Sequence, residues 1–85
     1  MAKIKLSKSS EKFFLKLSPS DQKKIAKAIL KIEKDPLTGE KLKGQYEGLF
    51  KLYAWPYRVI YSYYSQDNIA IIVTIGHRQG IYRKR

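Results

Sequence analysis

Five side chains in the C-terminal half of the chain have the chemistry needed to act on a phosphodiester. Arg58 and Arg78 each supply a planar fork of N–H donors, which suits a phosphate group. His77 and Tyr82 can donate or accept protons, and Lys51 adds a further cation. On a strongly basic chain, this set of residue types predicts chemistry on the backbone of RNA.

Cleavage of RNA through its own 2′-hydroxyl requires a base, a cationic site for the phosphoryl transition state and an acid for the departing 5′ oxygen. Arg58 and Arg78 are predicted to form the cationic site, which needs no metal. Neighbouring positive charges favour a neutral lysine and a more acidic tyrosine. Lys51 is therefore a candidate base and Tyr82 a candidate acid, and His77 is suited to either role.

Each of these residues also has a purely structural interpretation. Lys51 fits an ordinary strand lysine, and Arg58 and Arg78 fit surface charges or salt-bridge partners. Tyr82 is suited to packing over a sheet edge, and His77 to a turn. Only their joint placement favours the catalytic interpretation.

Composition narrows the class of protein. The 85 residues include 18 Lys or Arg and 7 Asp or Glu, and the net charge of +11 favours a polyanionic partner over a merely solvated surface. Cysteine is absent, which excludes disulfides and thiolate sites, and a lone His77 predicts no metal site and no cofactor. We expect one domain over residues 1–85, located in the cytoplasm, because neither a signal peptide nor a membrane-spanning apolar run is visible.

The apolar pattern predicts two helices near the start of the chain. Lys3–Leu6 alternates like a short strand, and Ser9–Leu17 follows with helical spacing. Ser18 and Pro19 are typical of a cap and a first helical position, so the second helix should run to about Asp35. Residues 37–47 are predicted to be a connecting loop.

The pattern after the loop predicts three β-strands. The predicted strands are Leu49–Tyr53, Tyr57–Tyr64 and Ile69–Ile75, with a hairpin turn at Gln66–Asn68. The order β-α-α-β-β-β predicts an α+β fold in which two helices pack on one face of a small, mainly antiparallel sheet.

Basic residues also cluster outside the proposed catalytic set. The second helix carries five lysines on the side opposite its isoleucines, and the chain ends in a basic tail. These residues are predicted to contact RNA phosphates, with a solvated surface as the alternative: Lys23, Lys24, Lys27, Lys31, Lys34, Arg83, Lys84 and Arg85.

Hairpin register brings the catalytic candidates together. A turn centred on Asp67 puts Arg58 opposite Gly76 or His77. A two-residue turn at Trp55–Pro56 puts Tyr53 opposite Arg58, with Lys51 on the same face, whereas a three-residue turn would reverse the faces. Lys51, Arg58, His77 and Arg78 are therefore expected at one end of the sheet, with Tyr82 nearby.

The sequence resembles the RelE/ParE toxin superfamily, in particular its RelE-type messenger-RNA interferases. The resemblance covers nearly the whole chain. It is carried by Asp35-Pro36, Leu42-Lys43-Gly44, Gly48-Leu-Phe-Lys-Leu, Tyr57-Arg-Val-Ile-Tyr61, Ile75-Gly-His-Arg78 and Ile81-Tyr82.

This resemblance implies a type II toxin that enters the ribosomal decoding site and cuts messenger RNA without metal. It implies transition-state arginines at Arg58 and Arg78, a catalytic Tyr82 and a basic strand residue at Lys51. The implied partners are an acidic antitoxin, the ribosome with its messenger RNA, and operator DNA reached only through the antitoxin complex. No membrane partner is implied.

Two other classes of function remain open. One is a ParE-like gyrase inhibitor without catalytic activity, although such proteins generally lack the arginine and tyrosine set. The other is an inactive module that binds RNA or the ribosome.

Overall fold

The computed structural model describes residues 1–77 of the chain. Arg78, Tyr82, Arg83, Lys84 and Arg85, to which the sequence analysis gives roles, lie outside the described residues.

Two helices and five strands make up the described part. In chain order they are β1 (Lys3–Leu6), α1 (Lys8–Leu15), α2 (Pro19–Lys34), β2 (Glu40–Lys41), β3 (Phe50–Ala54), β4 (Tyr57–Tyr64) and β5 (Ile69–His77), with a 3₁₀ turn at Gly44–Tyr46. The strands form one sheet in the order β1-β5-β4-β3-β2. β1 runs parallel to β5, and the other pairs are antiparallel. The predicted α+β class is confirmed, and β2 is an addition to the predicted order.

The helices begin where serine and proline signals place them. Ser18 accepts a hydrogen bond from the Asp21 N–H at 3.3 Å, and Pro19 is the first residue of α2. α1 begins at Lys8, one residue earlier than predicted, because Ser7 is its cap and accepts a hydrogen bond from the Ser10 N–H at 3.1 Å. The helix ends at Leu15, before the predicted end at Leu17.

The core lies between α2 and one face of the sheet. Ile25, Ala28 and Ile32 of α2 are buried, and they belong to the same cluster as Val59 and Ile72. Side chains alternate across a strand, so the residues between those buried positions point to the other face. The two faces of the sheet therefore differ: one is packed under the helices, and the other is turned away from them.

The strand β2 was missed because it lacks an apolar pattern. Its two residues, Glu40 and Lys41, are both exposed, and it pairs with β3 through contacts distant in sequence. Gly39 lets the chain approach closely here, since a Cβ at this position would lie 2.7 Å from the Tyr61 hydroxyl. That hydroxyl accepts from the Gly39 N–H at 2.9 Å and donates to the Pro36 carbonyl at 2.8 Å. Burial raises the pKa of Tyr61 above the usual value for tyrosine.

Within residues 1–77, neither helix has the length and apolar character required to cross a bilayer.

Candidate functional site

The β3–β4 hairpin places the basic strand residues side by side. Its two-residue turn, at Trp55–Pro56, contains a cis peptide bond. Tyr53 pairs with Arg58, as the two-residue turn predicted, and Lys51 pairs with Ile60. Because directly paired residues share a face, Lys51, Tyr53 and Arg58 all lie on the sheet face opposite the helices.

The ring of Tyr53 lies close to both cations. The Lys51 Nζ is 5.0 Å from the ring centroid, and the Arg58 Cζ is 5.1 Å from it. These distances are within the range of cation–π attraction. We call Lys51, Tyr53 and Arg58 the basic cluster. It combines an ammonium group and a guanidinium group around one aromatic ring on this face of the sheet.

A carboxylate also reaches the basic cluster. The Glu40 Oε1 lies 3.5 Å from the Lys51 Nζ, and only 12% of the Lys51 side chain is exposed, against 66% for Glu40. The register of β2 produces this contact, since Glu40 pairs with Lys51. The two-residue strand thus positions the acidic partner of Lys51, the lysine of the basic cluster.

A β-bulge sets the register of the third strand. Tyr61 pairs with Ile72 whereas Ile60 pairs with Thr74, so Val73 is the extra residue in β5. The Val73 carbonyl accepts a hydrogen bond from the Ser7 hydroxyl at 2.8 Å. The bulge is thereby attached to the residue that caps α1.

The bulge decides which residues meet Arg58. Beyond it Arg58 pairs with Gly76, as predicted, and Tyr57 pairs with His77. The rings of Tyr57 and His77 are 6.0 Å apart at 79°. His77 therefore reaches the predicted end of the sheet but on the face packed under the helices, so the structure separates it from Lys51 and Arg58.

Tyr57 connects this end of the sheet to both helices. Its ring lies 5.8 Å from that of Phe13 at 79°, and its hydroxyl donates to the Asp21 Oδ2 at 2.7 Å. Lys24 forms an ion pair with the Asp21 Oδ1 at 3.2 Å. The bond from Tyr57, followed by the contact with Lys24, lowers the pKa of Asp21, and the bond to Asp21 raises the pKa of Tyr57.

This network predicts a pH-dependent stability difference. The Asp21 contribution is present above its unfolded pKa of about 3.9 and is lost as pH falls through the lower folded value. The Tyr57 contribution is present below its unfolded pKa of about 10 and is lost as pH rises through the higher folded value. The melting temperature of Tyr57→Phe should therefore fall furthest below wild type near neutral pH, and the gap should narrow toward both extremes.

Tyr63→Phe is the matched control for this measurement, because the Tyr63 hydroxyl donates to the neutral Asn68 side chain at 2.7 Å. The difference in melting temperature between Tyr63→Phe and wild type should not change between neutral and acid pH. If the difference in melting temperature between Tyr57→Phe and wild type is also constant over this range, the stabilising contribution of the Tyr57 hydroxyl does not come from its bond to Asp21.

The five predicted RNA-contacting lysines of α2 are all exposed. Lys24 differs from the others in its ion pair with Asp21. The structure thus places these side chains at the surface, on the helix that covers the core, and away from the sheet face that carries the basic cluster.

Two residues of the site were not identified from the sequence. Glu40 lies in a segment predicted to be a loop, and no local pattern links it to Lys51. The register predicted that Tyr53 lies opposite Arg58 but gave Tyr53 no function. The signal for a function is an aromatic residue at an exposed position of an alternating strand. Among residues 1–77, no three His, Cys, Asp or Glu side chains form a group able to hold a metal ion.

Comparison with protein families identifies the class. Residues 4–85 match the model of the ParE-like toxin of type II bacterial toxin-antitoxin systems. The chain belongs to this toxin family. The predicted membership of the RelE/ParE superfamily is therefore confirmed. No curated protein sequence matches the chain at a significant level.

Solved structures of RelE proteins share the fold of this ParE-like toxin. The RelBE2 toxin–antitoxin complex of Mycobacterium tuberculosis contains a chain with a TM-score of 0.82 and 19% identity, over 91% of this chain and 98% of that one. The isolated RelE toxin of E. coli has a TM-score of 0.79 and 17% sequence identity, and the match covers 96% of this chain and 92% of that one. A chain of the archaeal RelE–RelB complex from Pyrococcus horikoshii has a TM-score of 0.77 and 23% sequence identity, and the match covers 93% of this chain and 97% of that one.

Proposed function

We propose that this ParE-like toxin is a ribosome-dependent endoribonuclease that cleaves messenger RNA by attack of the 2′-hydroxyl on the adjacent phosphate, without a metal. The observation that carries the proposal is the basic cluster, in which Lys51 and Arg58 share one sheet face and each lies about 5 Å from the Tyr53 ring centroid. A phosphoryl transition state gathers negative charge on its oxygens, and preorganised cations stabilise it more than they stabilise the ground state.

The predicted residues divide the proposed reaction among them, except His77, which pairs with Tyr57 on the other sheet face. The Arg58 guanidinium donates to the non-bridging phosphate oxygens, and Arg78 is the second transition-state arginine implied by the family resemblance. Tyr82 donates its phenolic proton to the departing 5′ oxygen. The 2′ oxygen gives its proton to Lys51 in the neutral amine form and forms its new bond to phosphorus as the bond from phosphorus to the 5′ oxygen breaks.

The ion pair with Glu40 bears on the role of Lys51. A lysine that acts as a base must be a neutral amine, whereas a nearby carboxylate favours the ammonium form. At 3.5 Å, Glu40 therefore supports a cationic role for Lys51 in the free protein. For Lys51 to remove the 2′ proton, binding to the ribosome would first have to draw it away from Glu40.

The exposed lysines of α2 support binding rather than chemistry in this proposal. We expect Lys23, Lys27 and Lys34, replaced together by Gln, to weaken ribosome binding because phosphate contacts are lost. Each lost contact should reduce the salt dependence of binding by about one unit of slope. Binding titrations at several salt concentrations measure this, while the single-turnover cleavage rate at saturation should change little.

A second triple variant controls for the loss of three charges. Lys3, Lys5 and Lys8 are also exposed but lie in β1 and at the start of α1. Replacing these with Gln should leave most of the salt dependence intact. Equal effects of the two triple variants would show that net charge alone, and not the α2 surface, sets the affinity.

The proposal extends to partners and location. The M. tuberculosis and P. horikoshii relatives were solved as toxin–antitoxin complexes, which supports an antitoxin as the inhibitor of this chain. A net charge of +11 favours an acidic one. We propose that the toxin reaches operator DNA only through that complex and that it acts on ribosomes in the cytoplasm.

A second candidate function is inhibition of gyrase without catalysis. The description of the matching family as ParE-like favours it. The two functions make opposite predictions for cells in which the toxin is induced. The nuclease leaves messages cut within codons on translating ribosomes, while the gyrase inhibitor leaves DNA breaks and intact messages. Mapping of RNA ends and DNA breaks in the same culture therefore separates them.

A further inference from the structure

The half-exposed ring of Tyr53 is a feature of the basic cluster that the proposed reaction does not use. Tyr53 is 50% exposed, although two cations lie within about 5 Å of its ring centroid. Tyr53 is also directly opposite Arg58, the residue assigned to the phosphate. An aromatic surface thus lies next to the proposed phosphate-binding group.

A second exposed aromatic residue lies close by in the chain. Trp55, in the β3–β4 turn, is 64% exposed, and it follows Tyr53 by two residues. Exposed aromatic rings offer flat faces on which nucleic-acid bases stack. The hairpin end therefore combines aromatic surfaces with a guanidinium and an ammonium group, the combination typical of sites for single-stranded nucleic acid.

We propose that Tyr53 stacks on an unpaired base of the RNA substrate and so positions the adjacent phosphate on Arg58, with Trp55 providing a neighbouring aromatic surface. This inference rests on the proposed function, since it names how that site holds its substrate. Bases that are splayed from a single strand stack readily on aromatic side chains. The nearby cations hold the backbone at the same time, so base and phosphate are bound as one unit. Tyr53 acts here as a positioning residue.

Binding measurements with base-deleted RNA test this inference. The probes are short single-stranded 2′-O-methyl oligoribonucleotides, which cannot be cleaved by 2′-hydroxyl attack, each lacking one base. For the wild type and for Tyr53→Phe, which retains the ring, removal of the base at one position should weaken binding about tenfold. Tyr53→Leu should bind the intact oligonucleotide about tenfold more weakly and lose nothing further when that base is removed.

The pairing of variant and base deletion distinguishes stacking from a structural role. A ring that only spaces the two cations would make Tyr53→Leu bind every probe more weakly by the same factor, with the base deletion still effective. That result would overturn the inference, as would a wild-type scan in which no position matters. Equal loss in Tyr53→Phe and Tyr53→Leu would also overturn it, because stacking needs no hydroxyl.

A crosslinking experiment with the unmodified protein needs no variant to fold. Trypsin cleaves after Lys51 and Arg58, so Tyr53 and Trp55 are released together in residues 52–58. Photoactivated 4-thiouridine in an oligoribonucleotide should attach to this peptide at one of the two aromatic residues. Attachment confined to other peptides would overturn the inference.

The inference and the proposed function fail in different ways. If the wild type cuts messages on ribosomes while Tyr53→Leu has an unchanged KM and an unchanged base-deletion profile, the stacking inference alone is wrong. If the wild type cuts no message but the coupling between Tyr53 and one base is found, stacking holds and the enzymatic proposal is wrong. Cleavage by the wild type, together with a raised KM and the loss of base dependence in Tyr53→Leu, supports both.

Discussion

Replacement of Arg58 by Gln should lower the single-turnover rate of messenger-RNA cleavage about a hundredfold, with little change in ribosome affinity. The guanidinium contact strengthens as charge develops on the phosphoryl oxygens, so its loss falls on the rate and not on binding. Arg58→Lys keeps the charge but loses the two-pronged donor geometry, and it should recover only part of the rate. Quench-flow cleavage on ribosomes programmed with a defined message measures these rates.

Lys41→Gln is the matched control for Arg58→Gln, because Lys41 is an exposed cation on the edge strand β2 of the same sheet and lies outside the basic cluster. Its cleavage rate should remain near that of wild type. A normal rate in Arg58→Gln, with normal folding, would remove Arg58 from the reaction. Comparable losses in both variants would indicate a general charge effect.

Tyr82→Phe should likewise lower the cleavage rate by about a hundredfold or more, because it removes the proton that the departing 5′ oxygen requires. His77→Gln is its natural counterpart, since both residues are sequence-predicted proton donors. His77 packs edge-on to Tyr57, on the face opposite Arg58, so His77→Gln should retain most of the activity. The reverse pattern, an active Tyr82→Phe and an inactive His77→Gln, would transfer the acid role to His77.

Local signals in the sequence predicted the frame of the fold. Ser18 and Pro19 define the start of α2 through a cap and a proline whose missing N–H costs nothing there. The richness of Tyr57–Tyr64 in Tyr, Val and Ile predicted β4 at its observed bounds. These features depend on neighbours in sequence, and for this reason they are readable from it.

The features that the sequence did not reveal depend on contacts between distant segments. β2 is two exposed residues that pair with β3 only once Gly39 has passed close to Tyr61. The bulge at Val73 is hydrogen-bonded by the Ser7 hydroxyl, 66 residues earlier in the chain. Without the bulge, the observed pairing of Tyr64 with Ile69 would put Arg58 opposite Ile75 and not Gly76.

The candidate site was predicted in part for the same reason. Residue type identified Lys51 and Arg58, and a two-residue turn sufficed to put them on one face. The Glu40 contact follows from β2, which has no local signature. The sequence predicted the correct end of the sheet for His77, but the face on which His77 lies follows from its own pairing with Tyr57.

The chemistry of the RNA ends left on purified ribosomes tests the central proposal most directly. Attack by the 2′-hydroxyl leaves a 2′,3′-cyclic phosphate, or the 3′-phosphate formed from it, on one fragment and a 5′-hydroxyl on the other. We expect wild-type toxin to produce these ends within the codon in the decoding site, and Arg58→Gln to produce them about a hundredfold more slowly. Uncut messages on fully occupied ribosomes, or fragments that carry 5′-phosphates, would contradict the account.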